Sequence, residues 1–364
     1  QVSEAAAQAA FDLVIFDEAH KLTKDMSGEE TARFKAGKAL AETVPCFLLL
    51  SATPHQGDSA RFRYLLSLID PHRFYRGCDL NPENVKAITV RNNKRAVVDF
   101  QGQRIFKQRI TSLCKISRDK AEDGIELQLY EAVSEYVSEF YNLARQEQNQ
   151  TMMFLLLLYQ RMVSSSSQAI WKSLSSRLAS LNELKKTIEL GRTEGETAEI
   201  EADEIQELVA EAQMVYLESR PYQDLLKNVS YLQTEIDLLE KLVDLARQAS
   251  LGRNDAKLRT LLEIIDEFRI RENDPELKFI IFTEFVETQF YLNTCLQNLG
   301  YKTAMINGRM SAEEKRTAKD FFRTEALFLI STDAGGEGIN LQFCRILINY
   351  DLPWNPMRLE QRIG

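Results

Sequence analysis

Apolar and polar positions alternate in blocks along the chain. Phe11 to Phe16 form a short apolar run broken by Asp12 and ending in the acids Asp17 and Glu18, and Cys46 to Leu50 form another, ending in Ser51-Ala52-Thr53-Pro54. A polar helical stretch separates the two. Short apolar runs joined by helical stretches predict strands of a buried parallel sheet. From about 116 to 249 the spacing becomes that of helices. Leu129, Val133, Val137, Phe140 and Ala144 recur at helical intervals, as do Leu232, Ile236, Leu239, Val243 and Ala246, so long amphipathic helices packed through these stripes are expected. Strand and helix alternate again from Leu258. Leu258, Leu261, Leu262, Ile265 and Phe268 predict a helix, Phe279 to Phe282 a strand, and Ser311 with Glu314 a capping box that opens the next helix. Leu327 to Ser331 and Ile346 to Asn349 read as two more buried strands. The expected order is an α/β part over 1–115, a helical insertion over 116–250 and a second α/β part over 251–364.

Composition narrows the class. With 364 residues, 44% hydrophobic and 27% charged, the chain is long enough for about two domains of roughly 150 residues and an insertion. No apolar run reaches the roughly 18 residues of a membrane span, since Met152 to Tyr159 stops at Gln160 and Arg161. A soluble, cytoplasmic protein with no membrane partner is therefore expected. The net charge of -9 argues against a uniformly basic coat but leaves room for local patches. Between 91 and 120 the balance turns basic, with Arg91, Lys94, Arg95, Arg104, Lys107, Arg109, Lys115, Arg118 and Lys120 opposed by Asp99 and Asp119 alone. Arg91, Lys94 and Arg95 are candidates for nucleic-acid backbone contact, and a β-hairpin carrying solvated cations is the equal alternative. The acidic run from Glu194 to Glu211 reads as an acidic loop leading into a solvated helix face. The five cysteines are scattered without a C-x-x-C pair, which predicts neither a zinc site nor a disulfide framework. The first residues carry neither an initiator Met nor a leader pattern, so the chain reads as a fragment.

Asp17-Glu18-Ala19-His20 falls at the carboxyl end of a predicted strand, where open α/β sheets place their ligand sites. Adjacent carboxylates there can divide the work of nucleotide hydrolysis. Asp17 would hold the Mg²⁺ bridging the phosphates of ATP and Glu18 would activate water, the chemistry of a Walker B strand. Ser51-Ala52-Thr53 lies at the next strand end. A third segment runs from Ile330-Ser331-Thr332-Asp333-Ala334-Gly335-Gly336-Glu337-Gly338-Ile339-Asn340 through Tyr350-Asp351-Leu352-Pro353-Trp354-Asn355-Pro356 to Arg358 and Gln361-Arg362-Ile363-Gly364.

In these segments the chain resembles superfamily 2 helicases and translocases. It is most similar to the Swi/Snf-like branch and, within it, to RapA/HepA-type proteins and the helicase subunit of DISARM-type phage defence. The resemblance implies two RecA-like parallel-sheet lobes, the first incomplete, separated by the helical insertion. It places Asp17, Glu18 and His20 at the nucleotide, with Asp17 on the metal, and assigns Ser51 and Thr53 to coupling hydrolysis with lobe movement. Thr283 and Thr332 would touch nucleic-acid phosphates. Gly338 and Asn340 would approach the nucleotide from the second lobe, and Arg362, with Arg358 as a second candidate, would reach the γ-phosphate. A guanidinium suits that task because it spreads positive charge over oxygens that gain negative charge in the transition state.

The implied activity is ATP-driven movement along duplex DNA, independent of base sequence, that remodels or displaces bound complexes, with bacterial anti-phage defence as one setting. The alternatives are an RNA polymerase recycling factor and a degenerate helicase fold that serves as a scaffold, with a protein partner on the helical insertion. One departure bears on activity: the chain holds no G-x-x-x-x-G-K-[ST] phosphate loop. The fragment alone is therefore expected to be inactive, and its parent polypeptide active.

Overall fold

The computed structural model describes residues 11–24, 29–52, 59–75, 77–91, 97–105, 109–116, 123–146, 150–189, 229–252, 255–336, 340–354 and 356–363. Thr53, Lys94, Arg95, Gly338 and the acidic run near 191–211 lie outside these residues. The chain divides into two compact units, Gln1–Leu113 and Cys114–Gly364. The boundary falls within the basic stretch, ahead of Lys115, and the helical block shares the second unit with the last parallel sheet.

In the first unit, β1 (Leu13–Phe16) and β2 (Cys46–Leu49) pair in parallel, Leu13 opposite Cys46 and Phe16 opposite Leu49. Helix α1 (Ala32–Thr43) connects them, and Thr31 caps it by accepting from the Phe34 amide. Phe16, Phe47 and Leu49 pack one face of the pair onto Ala19, Leu22, Phe34, Leu65 and Leu68, the last three brought by α1, α2 (Ser59–Ser67) and the turn after it. The opposite face differs from the buried sheet expected. Leu13 and Ile15 are half exposed, as are Leu48 and Leu50, because the described residues cover this sheet on one side only. Helix α3 (Pro82–Ile88) precedes the basic stretch, which holds a short antiparallel bridge between Val98 and Arg104. Arg91 is exposed.

The second unit opens with the helices α4 (Gly124–Gln146), α5 (Gln150–Ser165), α6 (Ser167–Glu189) and α7 (Val229–Leu251). Leu129, Val133, Val137, Phe140 and Ala144 are all buried in their common core, as are Ile236, Leu239 and Ala246, so both expected stripes are the packing faces. Inside this core Arg177 pairs with Glu235 at 2.7 Å, and the Tyr136 hydroxyl donates to the same carboxylate. A buried pair of this kind makes the fit of α6 on α7 specific, because either charge alone would be left without solvent.

Helix α8 (Ala256–Glu272) leads from the bundle into a four-stranded all-parallel sheet ordered β4-β5-β3-β6, with β3 Phe279–Thr283, β4 Thr303–Ile306, β5 Phe328–Thr332 and β6 Ile346–Asn349. Helices α9 (Val286–Asn298) and α10 (Ala312–Thr324) connect the strands. Strand β4 has no counterpart in the reading of the sequence, since Thr303-Ala304-Met305-Ile306 is too short and mixed to stand out. The capping box at Ser311 and Glu314 is formed as expected. At the other end of α10, Lys278 donates to the carbonyls of Phe322 and Ala326, both at 2.7 Å, satisfying groups that a helix end leaves unpaired.

The glycine at position 335 is a packing requirement. A Cβ there would sit 2.6 Å from both the Asn307 Cα and the Ile306 carbonyl oxygen, so the short helix α11 (Asp333–Gly336) can approach the end of β4 only without a side chain. Gly335→Ala is expected to cost about 2–4 kcal/mol. Gly124→Ala, where an added methyl meets nothing within 4 Å, should leave stability within about 0.5 kcal/mol of wild type. Thermal unfolding of the two variants side by side checks this, and equal midpoints would show that the loop at Gly335 yields without cost.

Candidate functional site

Two motif clusters are formed, one in each unit. In the first, β1 delivers Asp17 and Glu18 to its carboxyl end and β2 delivers Ser51 beside them. The strand ends are tied together by the backbone, Leu50 donating to the Phe16 carbonyl and Ala19 to the Leu50 carbonyl, both at 2.8 Å. Glu18 adopts a left-handed conformation, φ 50° and ψ 42°, which is uncommon outside glycine and asparagine. Its amide donates to Asp17 Oδ1 at 2.8 Å, which turns the chain sharply and presents both exposed carboxylates on the same turn. His20, nearly buried, closes the cluster. Its Nδ1 lies 3.1 Å from Ser51 Oγ and 3.2 Å from Glu18 Oε2, so one ring nitrogen faces both the acidic motif and the hydroxyl of the next strand end.

These donors fit a hard cation. Asp17 is exposed and uses one carboxylate oxygen on the Glu18 amide, leaving oxygen capacity of the kind Mg²⁺ takes from one or two carboxylates together with phosphates and water. Among the described residues no group of three or more His, Cys, Asp or Glu side chains could hold a metal by itself. Asp17 and Glu18 could hold such a cation only together with ligands from outside the chain's described side chains.

The second cluster sits at the carboxyl ends of β3, β5 and β6. Asp333, directly after β5, receives two guanidinium groups. Arg362, on α12 (Pro356–Ile363), donates through Nε to Asp333 Oδ1 at 2.6 Å, and Arg358 reaches Asp333 Oδ2 at 3.3 Å. Arg362 Nη1 also donates to Asn349 Oδ1 at 2.7 Å and to the Asp351 carbonyl at 2.9 Å, and its guanidinium lies 5.0 Å from the Phe282 ring centre. The side chain of Arg362 is 3% exposed, that of Arg358 45%. Arg362 is thus a brace between the ends of β5 and β6 as the lobe stands. Its Nη2 is buried without a hydrogen-bond partner among the described residues.

Thr283 and Thr332, expected against phosphates, are both buried. Thr283 gives its hydroxyl to Asp351 Oδ2 at 2.6 Å, and the Thr332 hydroxyl is enclosed without a hydrogen-bond partner among the described residues. A phosphate could accept from the Thr283 hydroxyl only if the bond to Asp351 were given up. Asn340 is exposed and accepts from the Gln342 amide at 3.1 Å, a local turn. Trp354 is 55% exposed, with the Arg161 guanidinium 4.9 Å from its ring centre. An apolar groove of about 1190 Å³ in the second unit, lined by Trp171, Phe290 and Tyr291, shares no lining residue with the Asp333 cluster.

Asp333, Asp351, Glu284 and Arg161 were not singled out from the sequence, although all but Arg161 stand inside or beside the quoted motifs. Their signal was position: each acid immediately follows a strand or the residue after one, where parallel sheets gather polar groups. Asp351 is buried and accepts from Thr283, from Ser165 at 2.7 Å, from Lys257 at 2.6 Å and from the Glu284 amide at 3.2 Å. Burial pushes its carboxyl up, but the Lys257 ammonium and these donors prevail and hold it below the ordinary value. Glu284 behaves oppositely. Burial raises it to about 7, against the pull of Arg161 and with the repulsion of Asp351 and Asp333 added.

Residues 256–364 match the helicase conserved C-terminal domain. Over 97% of its length the chain is 29% identical to the uncharacterized ATP-dependent helicase YqhH of Bacillus subtilis (strain 168), covering 52% of that protein. Over 99% of its length it is 28% identical to the RNA polymerase-associated protein RapA of Vibrio cholerae serotype O1 (strain M66-2), covering 34% of it. The chain thus spans about half of the first relative and a third of the second. The Sulfolobus solfataricus SWI2/SNF2 ATPase core in complex with dsDNA aligns over 99% of this chain and 62% of its own, at 16% identity and a TM-score of 0.37, a likeness on which nothing here rests. By sequence, then, the chain is similar over nearly its whole length to a protein named as an ATP-dependent helicase and to one named as RNA polymerase-associated, and its last third matches the helicase C-terminal domain. Its fold is mixed α/β with parallel sheets in both units.

The raised carboxyl of Glu284 predicts a pH dependence. Its ordinary value is 4.5, so between 4.5 and about 7 the folded chain holds a proton that the unfolded chain has released, and stability falls as pH rises through that window. Glu284→Gln removes this titration. The unfolding free energy of wild type is expected to drop relative to that of the variant between about pH 5 and pH 7.5, by on the order of 1–3 kcal/mol. Parallel pH profiles of the two proteins in denaturant titrations would show that Glu284 does not titrate in that range.

Proposed function

We propose that the chain is part of an ATP-dependent translocase of Swi/Snf-like type, which hydrolyses ATP to move along duplex DNA and displace complexes bound to it. The observation that carries this reading is the His20 bridge. A structural cap at the end of β1 needs neither a second acid nor a link to the next strand end. Here a single imidazole nitrogen faces Glu18 and Ser51 together, so a change at the acidic pair is felt at Ser51. That is the local connection a coupling role for Ser51 and Thr53 requires.

In this reading Asp17 holds Mg²⁺, which supplies charge neutralisation on the phosphates when the nucleotide is bound. Glu18 takes the proton from the attacking water, and His20 fixes its carboxylate. Arg358, the more exposed guanidinium, and Arg362, whose Nη2 has no hydrogen-bond partner among the described residues, would donate to a γ-phosphate. Gly338 and Asn340 remain assigned to the nucleotide, and Arg91, Lys94 and Arg95 to the nucleic-acid backbone, as the motif resemblance implies. Contact made through phosphates would carry no sequence preference and would weaken with salt. Duplex DNA as the track follows the Swi/Snf resemblance. The kinship with a protein named as RNA polymerase-associated supports a polymerase complex as cargo over phage defence.

The decisive variant is Glu18→Gln in the complete protein, assayed for ATP hydrolysis with duplex DNA, single-stranded DNA and RNA in parallel. Stimulated turnover is expected to fall by roughly 10²-fold or more with nucleotide binding retained. Undiminished turnover would remove Glu18 from the role of general base, and stimulation by RNA alone would overturn the choice of track.

A further inference from the structure

The helical block meets the last sheet where its motif-bearing loops leave the strands. At the break between α5 and α6 the chain reads Ser164-Ser165-Ser166-Ser167. Ser166 does what a helix start asks of it, its hydroxyl accepting from the Ala169 amide at 3.2 Å. Ser165 has no such local duty. Its hydroxyl donates to Asp351 Oδ2 at 2.7 Å and lies 2.8 Å from Thr288 Oγ1, both on the sheet side. Asp351 Oδ2 is the same oxygen that receives Thr283 and the Glu284 amide. One helical turn earlier, Arg161 pairs with Glu284, donates to the Leu352 carbonyl at 2.6 Å and lies over Trp354. Two side chains of the block therefore grip both loops at once, Thr283-Glu284 after β3 and Asp351-Leu352 after β6.

Neither residue is explained by the bundle's own packing. Arg161 and Ser165 are four apart and so share the face of α5 turned toward the sheet. The groups they hold adjoin the ones a moving nucleic-acid grip would have to rearrange: the Thr283 hydroxyl shares Asp351 Oδ2 with Ser165, and the Asp351 carbonyl, next to the Leu352 carbonyl held by Arg161, receives Arg362 at 2.9 Å. A block attached only for bulk would cover the sheet with apolar side chains. This one spends buried hydroxyls and a guanidinium on polar atoms at the loops, and misplacement is costly because Asp351, Glu284 and Thr288 are out of water.

We propose that Ser165 and Arg161 are positioning residues, through which the helical block holds the Thr283-Glu284 and Asp351-Leu352 loops in register and so sets how far nucleic acid stimulates ATP turnover. The second half rests on the translocase reading above, and the first does not.

The test uses Ser165→Ala, Arg161→Ala and Arg161→Lys in the complete protein, with two measurements. Hydrogen exchange is followed at residues 283–289 and 351–354. Protection there is expected to fall by roughly 10-fold or more in Ser165→Ala and Arg161→Ala while the buried stripe of α4 stays protected, and to return in part in Arg161→Lys. Protection unchanged from wild type in both alanine variants would overturn the proposal. In parallel, ATP turnover is titrated with duplex DNA. Unstimulated turnover is expected to stay within about twofold of wild type, while the maximal stimulation drops by roughly 10-fold and the half-saturating DNA concentration rises. Lost protection with wild-type stimulation would overturn the catalytic half. A wild-type protein that no nucleic acid stimulates would instead sink the translocase reading, and exchange alone would then decide the positioning role.

Discussion

A carboxylate out of water must be matched by donors, and the second unit is arranged around one that is. Asp351 draws Thr283, Glu284, Ser165 and Lys257 onto its two side-chain oxygens, while its backbone carbonyl receives Arg362. These donors come from five places in the chain: the end of β3, the loop that follows it, the end of α5, the start of α8 and the helix after β6. An unpaired ion in that position would cost several kcal/mol, so each donor is held to its place by the need to avoid that cost. The geometry of the motif loops is therefore set by electrostatics as much as by apolar packing. Below this polar layer lies the dry core of the lobe, where Phe279, Ile281, Phe328 and Ile330 fill the sheet face against α8 and α9.

The first acid raises a second. Glu284 sits against Arg161 yet within reach of the fields of Asp351 and Asp333, and burial works against every charge in the group. The cluster is held by a near balance of attraction and desolvation, a condition under which one added anion or a shifted guanidinium changes the preferred protonation. Asp333 plays a comparable part on the other side. By holding Arg362 and Arg358 together it keeps two positive charges beside the end of β5, where a phosphate would compete with the carboxylate for both.

The first unit follows different rules. Its acids are exposed, and its order comes from backbone ties between two strand ends and from the His20 imidazole. Glu18 pays for its left-handed backbone with the Asp17 contact, a local strain of the type that clusters at working sites. Among the described residues the sheet beneath it is covered on one face only, with Leu13, Ile15, Leu48 and Leu50 exposed. Parallel sheets in solution are covered on both faces.

Periodicity alone determined most of the elements. The stripes of α4 and α7, the apolar runs of β1, β2, β3, β5 and β6 and the Ser311 capping box are local patterns, because each is imposed by the repeat of its own backbone. Strand β4 escaped since four mixed residues carry no period, and its place in the sheet is settled by pairing with β5. The nearness of Glu18, His20 and Ser51 was legible as motif order, for two strand ends of one parallel sheet fall side by side. What Thr283, Arg362 and Ser165 touch was not. Burial, the choice of partner and the sign of a carboxyl's shift depend on groups brought together across the sequence, from 29 residues apart for Arg362 and Asp333 to 186 for Ser165 and Asp351. A linear sequence records which side chains can donate and accept, whereas only the folded chain decides which of them are removed from water and must therefore find each other.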